Sequence, residues 1–299
     1  MIRVRITQKA VALTSLQGLN RNLDQFGKLQ QQLTSGRVIN APSDSPTGTN
    51  KAMQTRSDQA AVEQFGRNIA DAESWLGITD STLQNMLAVT RRVRDLTVQG
   101  ASTGNSSEAS RRALATEVES LRGSLLGLAN STIQGRPIFG GVTAGTKAYD
   151  ATTGAFTGMA VPGGDVLRRV SFTEEVRVDL TGPEAFGPAG ADLFAVVARI
   201  ADDLVTDPAA LDQGLADLDV AMQRMLGSVA DVGARAARVD REAQINTDRA
   251  LDLEIQLGDV ENVDLPGTMM RLKMQEVGYQ AALQATAKAI SPTLMDYLR

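Results

Sequence analysis

Three stretches of this chain gather residue types that do chemistry in other proteins. Asp259, Glu261 and Asp264 place three carboxylates close together, the raw material of a calcium loop. Such a loop also needs a glycine at its sharp turn and a distal bidentate Glu, and neither falls at that spacing. Asp264, standing just before Leu265 and Pro266, reads instead as a helix cap. Asp202-Asp203 would suit a proton-sharing acid pair, but neighbours on a helix point about 100° apart, so these carboxylates diverge onto a solvated face. Gly140-Gly141-Val142-Thr143-Ala144-Gly145-Thr146-Lys147 has the outline of a phosphate loop. Lys147 comes one position late and no Ser or Thr follows it, so the stretch reads as a turn-rich β segment.

Nothing replaces these candidates. The 299 residues contain no His and no Cys, which removes imidazole acid–base chemistry, thiol nucleophiles and the usual zinc ligands. No catalytic, metal-binding or cofactor-binding constellation is expected. Net charge is −5, and the strongest basic cluster, Arg91-Arg92-Val93-Arg94, is followed at once by Asp95. That pattern is a solvated helix face, so no nucleic-acid partner is expected. No run of about 18 apolar residues exists to span a membrane. Met1-Ile2-Arg3-Val4-Arg5-Ile6 leads into a polar helix and not an apolar signal core, so the protein stays in the cytosol or leaves without a cleaved signal.

The elements are mostly helices. Hydrophobic residues make up 42% but aromatics only 4%, which suits thin helix-on-helix seams better than one thick core. A first helix is predicted over about 11–33, with Gly36 as its left-handed cap. Pro42-Ser43-Asp44-Ser45-Pro46 is a turn that starts a second helix, capped by Asp44 or Ser45. From Pro46 to Gln99 the heptad positions Val62, Phe65, Ile69, Ala72, Leu76, Thr79, Leu83, Met86, Thr90 and Val93 predict a helix roughly 80 Å long. After a Gly/Ser/Thr/Asn break at 100–107, a third helix carries Leu114, Val118, Leu121, Leu125 and Leu128. From Gly135 to about Gly190 glycines, prolines and the alternation Val170, Phe172, Val176, Val178, Leu180 predict a small β-rich insert. Helices resume at Asp192, and Asp207-Pro208 caps another. Its expected seam is Leu211, Leu215, Leu218, Met222, Met225, Val229, Val232, Ala236 and Val239. A last helix is predicted over about 265–290.

The order is helices, β insert, helices. The expected fold is mainly α, an elongated antiparallel coiled-coil rod formed by the N- and C-terminal halves, with the β domain at its tip. Residues 1–40 and 260–299 are expected to be paired terminal helices, 41–134 and 190–259 the rod, and 135–189 the outer domain. The terminal stripes are Leu16, Leu19, Leu23, Phe26 and Leu33, facing Leu265, Met269, Leu272, Tyr279, Leu283, Ile290 and Leu294. Fully burying a Leu or Phe side chain is worth about 1.5–3 kcal/mol, so a two-helix hairpin that leaves part of these stripes wet forgoes a good deal. Periodicity alone leaves two outcomes open: packing between copies of the chain, or an internal coiled coil covered by the rod.

The two ends resemble a known family. Leu33-Thr34-Ser35-Gly36-Arg37-Val38-Ile39-Asn40-Ala41-Pro42-Ser43-Asp44-Ser45-Pro46 is similar to the N-terminal signature of the flagellin superfamily, and its Pro-Ser-Asp-x-Pro portion looks more like the hook–filament junction branch than filament flagellin. Ala129-Asn130-Ser131-Thr132-Ile133-Gln134-Gly135-Arg136-Pro137-Ile138-Phe139-Gly140-Gly141 resembles that branch's helix-to-β junction. Gln275-Glu276-Val277-Gly278-Tyr279-Gln280-Ala281-Ala282-Leu283, running on to Ser291-Pro292-Thr293-Leu294-Met295-Asp296-Tyr297-Leu298, resembles the family's C-terminal helix. The matches cover about half the chain, in order, at both ends.

The resemblance implies an extracellular structural protein of the bacterial flagellum, exported unfolded by the flagellar type III route without a cleaved signal. It implies a dedicated export chaperone, a short ring of copies between another hook-associated protein and the flagellin filament, and terminal helices lining the inner core. The small outer domain, roughly fifty residues, departs from larger members. The rival expectations are a filament-forming flagellin and, in another class, a cytosolic coiled-coil scaffold.

Overall fold

The computed structural model describes residues 8–102, 107–161 and 163–290. Among the described residues seven α-helices run in order: α1 (Gln8–Ser35), α2 (Pro46–Ala101), α3 (Glu108–Ala129), α4 (Gly182–Phe186), α5 (Leu193–Thr206), α6 (Leu211–Glu261) and α7 (Leu265–Ile290). The strands β1 (Thr132–Ile133), β2 (Arg136–Pro137), β3 (Leu167–Arg169) and β4 (Glu175–Arg177) make two separate antiparallel hairpins, β1–β2 and β3–β4. The chain is mainly α, and it divides into two compact units: residues 62–249, and residues 1–61 together with 250–299.

In the unit of residues 62–249, α2 and α6 run antiparallel. Arg94 holds Asp219 at 2.7 Å, and a Cβ on Gly66 would stand 3.4 Å from Asn246. All ten heptad positions predicted on α2 from Val62 to Val93 are buried. The threonines in that seam satisfy themselves, Thr79 and Thr90 donating to the carbonyls of Trp75 and Met86 at 2.8 and 2.7 Å. Trp75, Leu87 and Leu96, outside that heptad, are buried as well, so α2 has more than one packing partner. One of these is α3, joined to α2 by Arg92 and Glu117.

The seam of α6 differs from its prediction. Leu211, Leu218, Met225, Val232 and Val239 are buried, but the alternate positions are Gly214, Ala221 and Ser228, while Leu215, Met222 and Val229 stay half-buried at the flank. Small residues occupy the line of closest approach: a Cβ on Gly214 would meet Ile200 of α5 at 2.8 Å. Close packing selects against large side chains there, so reading for apolar size picked the neighbouring ridge.

The insert has less strand than expected. β1 and β2 are joined by Gln134 and Gly135, both at positive φ (49° and 79°), the backbone of a tight two-residue hairpin turn. Asn130, at the end of α3, anchors the next segment: its Oδ1 accepts from the N–H groups of Ala148 and Tyr149 at 2.9 and 2.8 Å. Val170, Val176, Val178 and Leu180 are buried as the alternation predicts, but Phe172 is 45% exposed. β3 ends at Arg169 and the chain turns back through Val170 N–H to Glu174 O, so Phe172 leaves the strand face. It packs edge-on against Phe65 instead, with Arg249 over its ring. The centre of the insert is an aromatic cluster of Phe139, Tyr149, Phe186 and Phe194, with ring centroids 4.7 to 6.0 Å apart.

Candidate assembly surface

The other unit is built around a joint. Gly36, at φ 70°, stands just past the end of α1 in the left-handed region. The strand-like stretch after it pairs with the link between α6 and α7: Val263 N–H donates to Gly36 O at 3.0 Å and Val38 N–H to Glu261 O at 2.7 Å. Glu261, 6% exposed, meets Arg56 at 2.7 Å and Arg37 at 3.7 Å. Asp44 and Ser45 divide the capping work expected of either. The Ser45 hydroxyl accepts from Gly48 N–H at the start of α2, whereas Asp44 accepts from the N–H groups of Ala41 and Asn40. Those backbone donors hold the Asp44 carboxyl below its ordinary range. Asp264 accepts from Gly267 N–H and opens α7.

From the joint, α1 and α7 run back antiparallel as a pair. Half-buried residues on α1 include Ser15, Leu19, Asn22, Phe26, Leu29 and Leu33, with Gln32 beside them; those on α7 include Leu272, Gln275, Tyr279, Ala282 and Thr286, with Gly267 and Glu276 beside them. Both sets step by alternating threes and fours, a coiled-coil seam. Gln275 donates to the backbone and side-chain oxygens of Asn22 at 3.1 and 3.2 Å, which fixes the register. Thr268 is the sole fully buried residue among the described side chains of the two helices.

The predicted stripes therefore split. Leu19, Phe26, Leu33, Leu272 and Tyr279 lie in the seam, each only half-buried. Leu16, Leu23, Leu265, Met269 and Leu283 lie outside it, between 43% and 60% exposed. The side chain of Ile290, and Leu294 altogether, fall outside the described residues. Sequence reasoning missed Leu13, Met270, Met274 and Val277, which are 54% to 75% exposed. Their position off the heptad stripe hid them, although three large apolar residues close together on α7, Met270, Met274 and Val277, are a signal in themselves.

The stretches first considered for chemistry have structural roles. Gly141 pairs with Met159, and a Cβ there would stand 2.4 Å from the Met159 carbonyl, so the glycine serves a close backbone approach. Asp202 is exposed while Asp203 is half-buried, the divergence expected of helix neighbours; burial raises the Asp203 carboxyl. Among the described residues, no group of three or more acids is arranged to hold a metal. Arg177 gathers Asp165, Asp179 and Glu184 at 2.9 to 3.1 Å and locks β4 to α4. Its hydrogen bond to Asp179 raises the guanidinium above its already high range. No described helix is long and apolar enough to cross a membrane.

Residues 6–143 match the family model described as the bacterial flagellin N-terminal helical region. The chain is 26% identical to flagellar hook-associated protein 3 of Escherichia coli (strain K12), over 96% of both chains. It is 24% identical to the flagellin of Bacillus subtilis (strain 168), again over 96% of both. Among solved structures, Bacillus cereus FlgL aligns with a TM-score of 0.60 over 69% of this chain and 99% of that one, at 23% identity, a likeness of fold.

Proposed function

We propose that this chain, a member of the bacterial flagellin superfamily, is a structural junction protein of the flagellum, assembling as a short ring that joins the hook to the flagellin filament. The observation that carries this reading is the α1–α7 pair. Nine large apolar side chains on the two helices, from Leu13 to Leu283, are 43% to 75% exposed. Full burial of such a side chain from full exposure is worth about 1.5–3 kcal/mol, so neighbouring copies that cover the part still exposed supply the assembly energy. Hook-associated protein 3 of Escherichia coli, alike over nearly the full length of both chains, supports the junction role.

On this reading the chain works by packing and not by catalysis. It is exported by the flagellar type III route with an export chaperone, and it meets flagellin on one side and another hook-associated protein on the other. The match to the Bacillus subtilis flagellin favours a second reading, a filament-forming subunit. A deletion strain separates the two. Loss of a junction protein leaves intact hooks and secreted flagellin monomers in the medium; a strain that still builds full filaments overturns the junction role. A protein that never leaves the cell overturns both.

A further inference from the structure

The elbow between α6 and α7 carries an open groove of about 650 Å³ that the α1–α7 pairing leaves unused. Three of its eight lining residues are aliphatic. Leu251 and Ile255 stand one turn apart on α6, 58% and 54% exposed, with Val263 half-buried beside them. Glu254, Asp259 and Asp264 rim it, all exposed. Glu261, the nearby acid that Arg37 and Arg56 neutralise, lies outside the groove lining. Aliphatic side chains set among three carboxylates suit a segment that alternates aliphatic and cationic residues.

Ile2-Arg3-Val4-Arg5-Ile6 has that pattern. From Met1 to Leu23 the sequence holds Arg3, Arg5, Lys9 and Arg21 and not one Asp or Glu. A chain cannot bring this segment to its own groove. The joint pairs Gly36 with Val263, one residue from Asp264. α1 runs the other way from Gly36 to Gln8, about 42 Å at 1.5 Å per residue. Arg3 stands five residues before Gln8, a reach of at most about 18 Å, or about 25 Å with its side chain. We infer that the groove takes the Ile2–Ile6 segment of a second copy of this chain, its arginines against Asp259, Asp264 and Glu254 and its aliphatic residues on Leu251 and Ile255. This deepens the assembly reading and rests on it: each copy hands its basic start to the elbow of a neighbour.

The chain has no cysteine, so single thiols can be placed cleanly. Cells would co-express Arg5→Cys and Asp259→Cys variants, and isolated flagellar particles would be treated with a short bismaleimide. The expected result is a cross-linked dimer at a yield about tenfold above that from Arg5→Cys with the exposed Glu63→Cys, because docking raises the effective concentration of one thiol at the other. Equal yields from the two pairings, in particles that retain the protein normally, overturn this inference and leave the end-helix reading standing. A wild-type protein never retained on hooks overturns that reading and this one with it. Cross-linking within one chain that carries both substitutions also overturns the inference. A charge swap gives a second readout: Arg3→Glu with Arg5→Glu lowers retention, and Glu254→Arg with Asp259→Arg on co-expressed copies restores it. No restoration contradicts the pairing.

Discussion

Arg56 reaches across 205 residues of sequence to place one guanidinium nitrogen 2.7 and 2.8 Å from the two carboxylate oxygens of Glu261. The carboxylate is nearly buried and the arginine about half exposed, so the two partners are not equivalent. The pair sits where the Gly36–Val38 and Glu261–Val263 segments exchange backbone hydrogen bonds.

That asymmetry sets the first prediction. Arg56→Ala leaves the Glu261 carboxylate with Arg37 alone, at 3.7 Å, whereas Glu261→Ala returns both arginines to water. Arg56→Ala is expected to cost about 1–3 kcal/mol and Glu261→Ala less. Native-state hydrogen exchange at the Val38 and Val263 amides reads this directly. Equal losses from the two variants would deny the buried carboxylate its role.

The second concerns acid. Burial pushes the Glu184 carboxyl up, but hydrogen bonds from Arg177 and from Thr181 pull it further down, for a net value below the ordinary range. A carboxyl with a lowered folded value contributes stability that is full above its unfolded value of about 4.3 and is lost as pH falls through the folded value. Thermal unfolding of the wild type should weaken below about pH 4. Glu184→Gln should be less stable at pH 7 and show a shallower decline on acidification, measured by circular dichroism. An unchanged acid profile would count against the Arg177 cluster.

The third uses two helix glycines. A Cβ on Gly214 would stand 2.8 Å from Cγ1 of Ile200, one bond from the β-branch and with little room to move. Nothing lies within 4 Å of one on Gly227. Gly214→Val should destabilise by about 1–3 kcal/mol through overpacking. Gly227→Ala should stabilise by about 0.5–1 kcal/mol through helix propensity. Denaturant unfolding tests both, and a tolerated Gly214→Val would contradict the close approach of α5 and α6.

The helices were legible because their burial repeats. On α2 the heptad from Val62 to Val93 named buried residues without a miss. On α6 it named every second one, because Gly214, Ala221 and Ser228 are buried for being small, which a search for apolar bulk passes over. The insert was legible only as a change of texture. Its core joins Phe139, Tyr149, Phe186 and Phe194 from four separate stretches, and no local period encodes such a meeting. Asn130 was quoted within a motif, yet its clasp on Ala148 and Tyr149 shows only in three dimensions. At the ends, the stripes were readable but not their division into seam and exposed ridge, because that depends on how α7 is rotated against α1.

Leu23 and Leu283 make that division testable. Both lie outside the seam, 49% and 43% exposed, so Asp at each should leave the folded chain within about 2 °C of its normal unfolding temperature. The direct measurement is the amount of Leu23→Asp/Leu283→Asp protein in purified hook–filament particles against the amount free in the medium. Nearly all of it in the medium, folded, is the predicted result. Retention on hooks at the wild-type level would contradict assembly through the end helices.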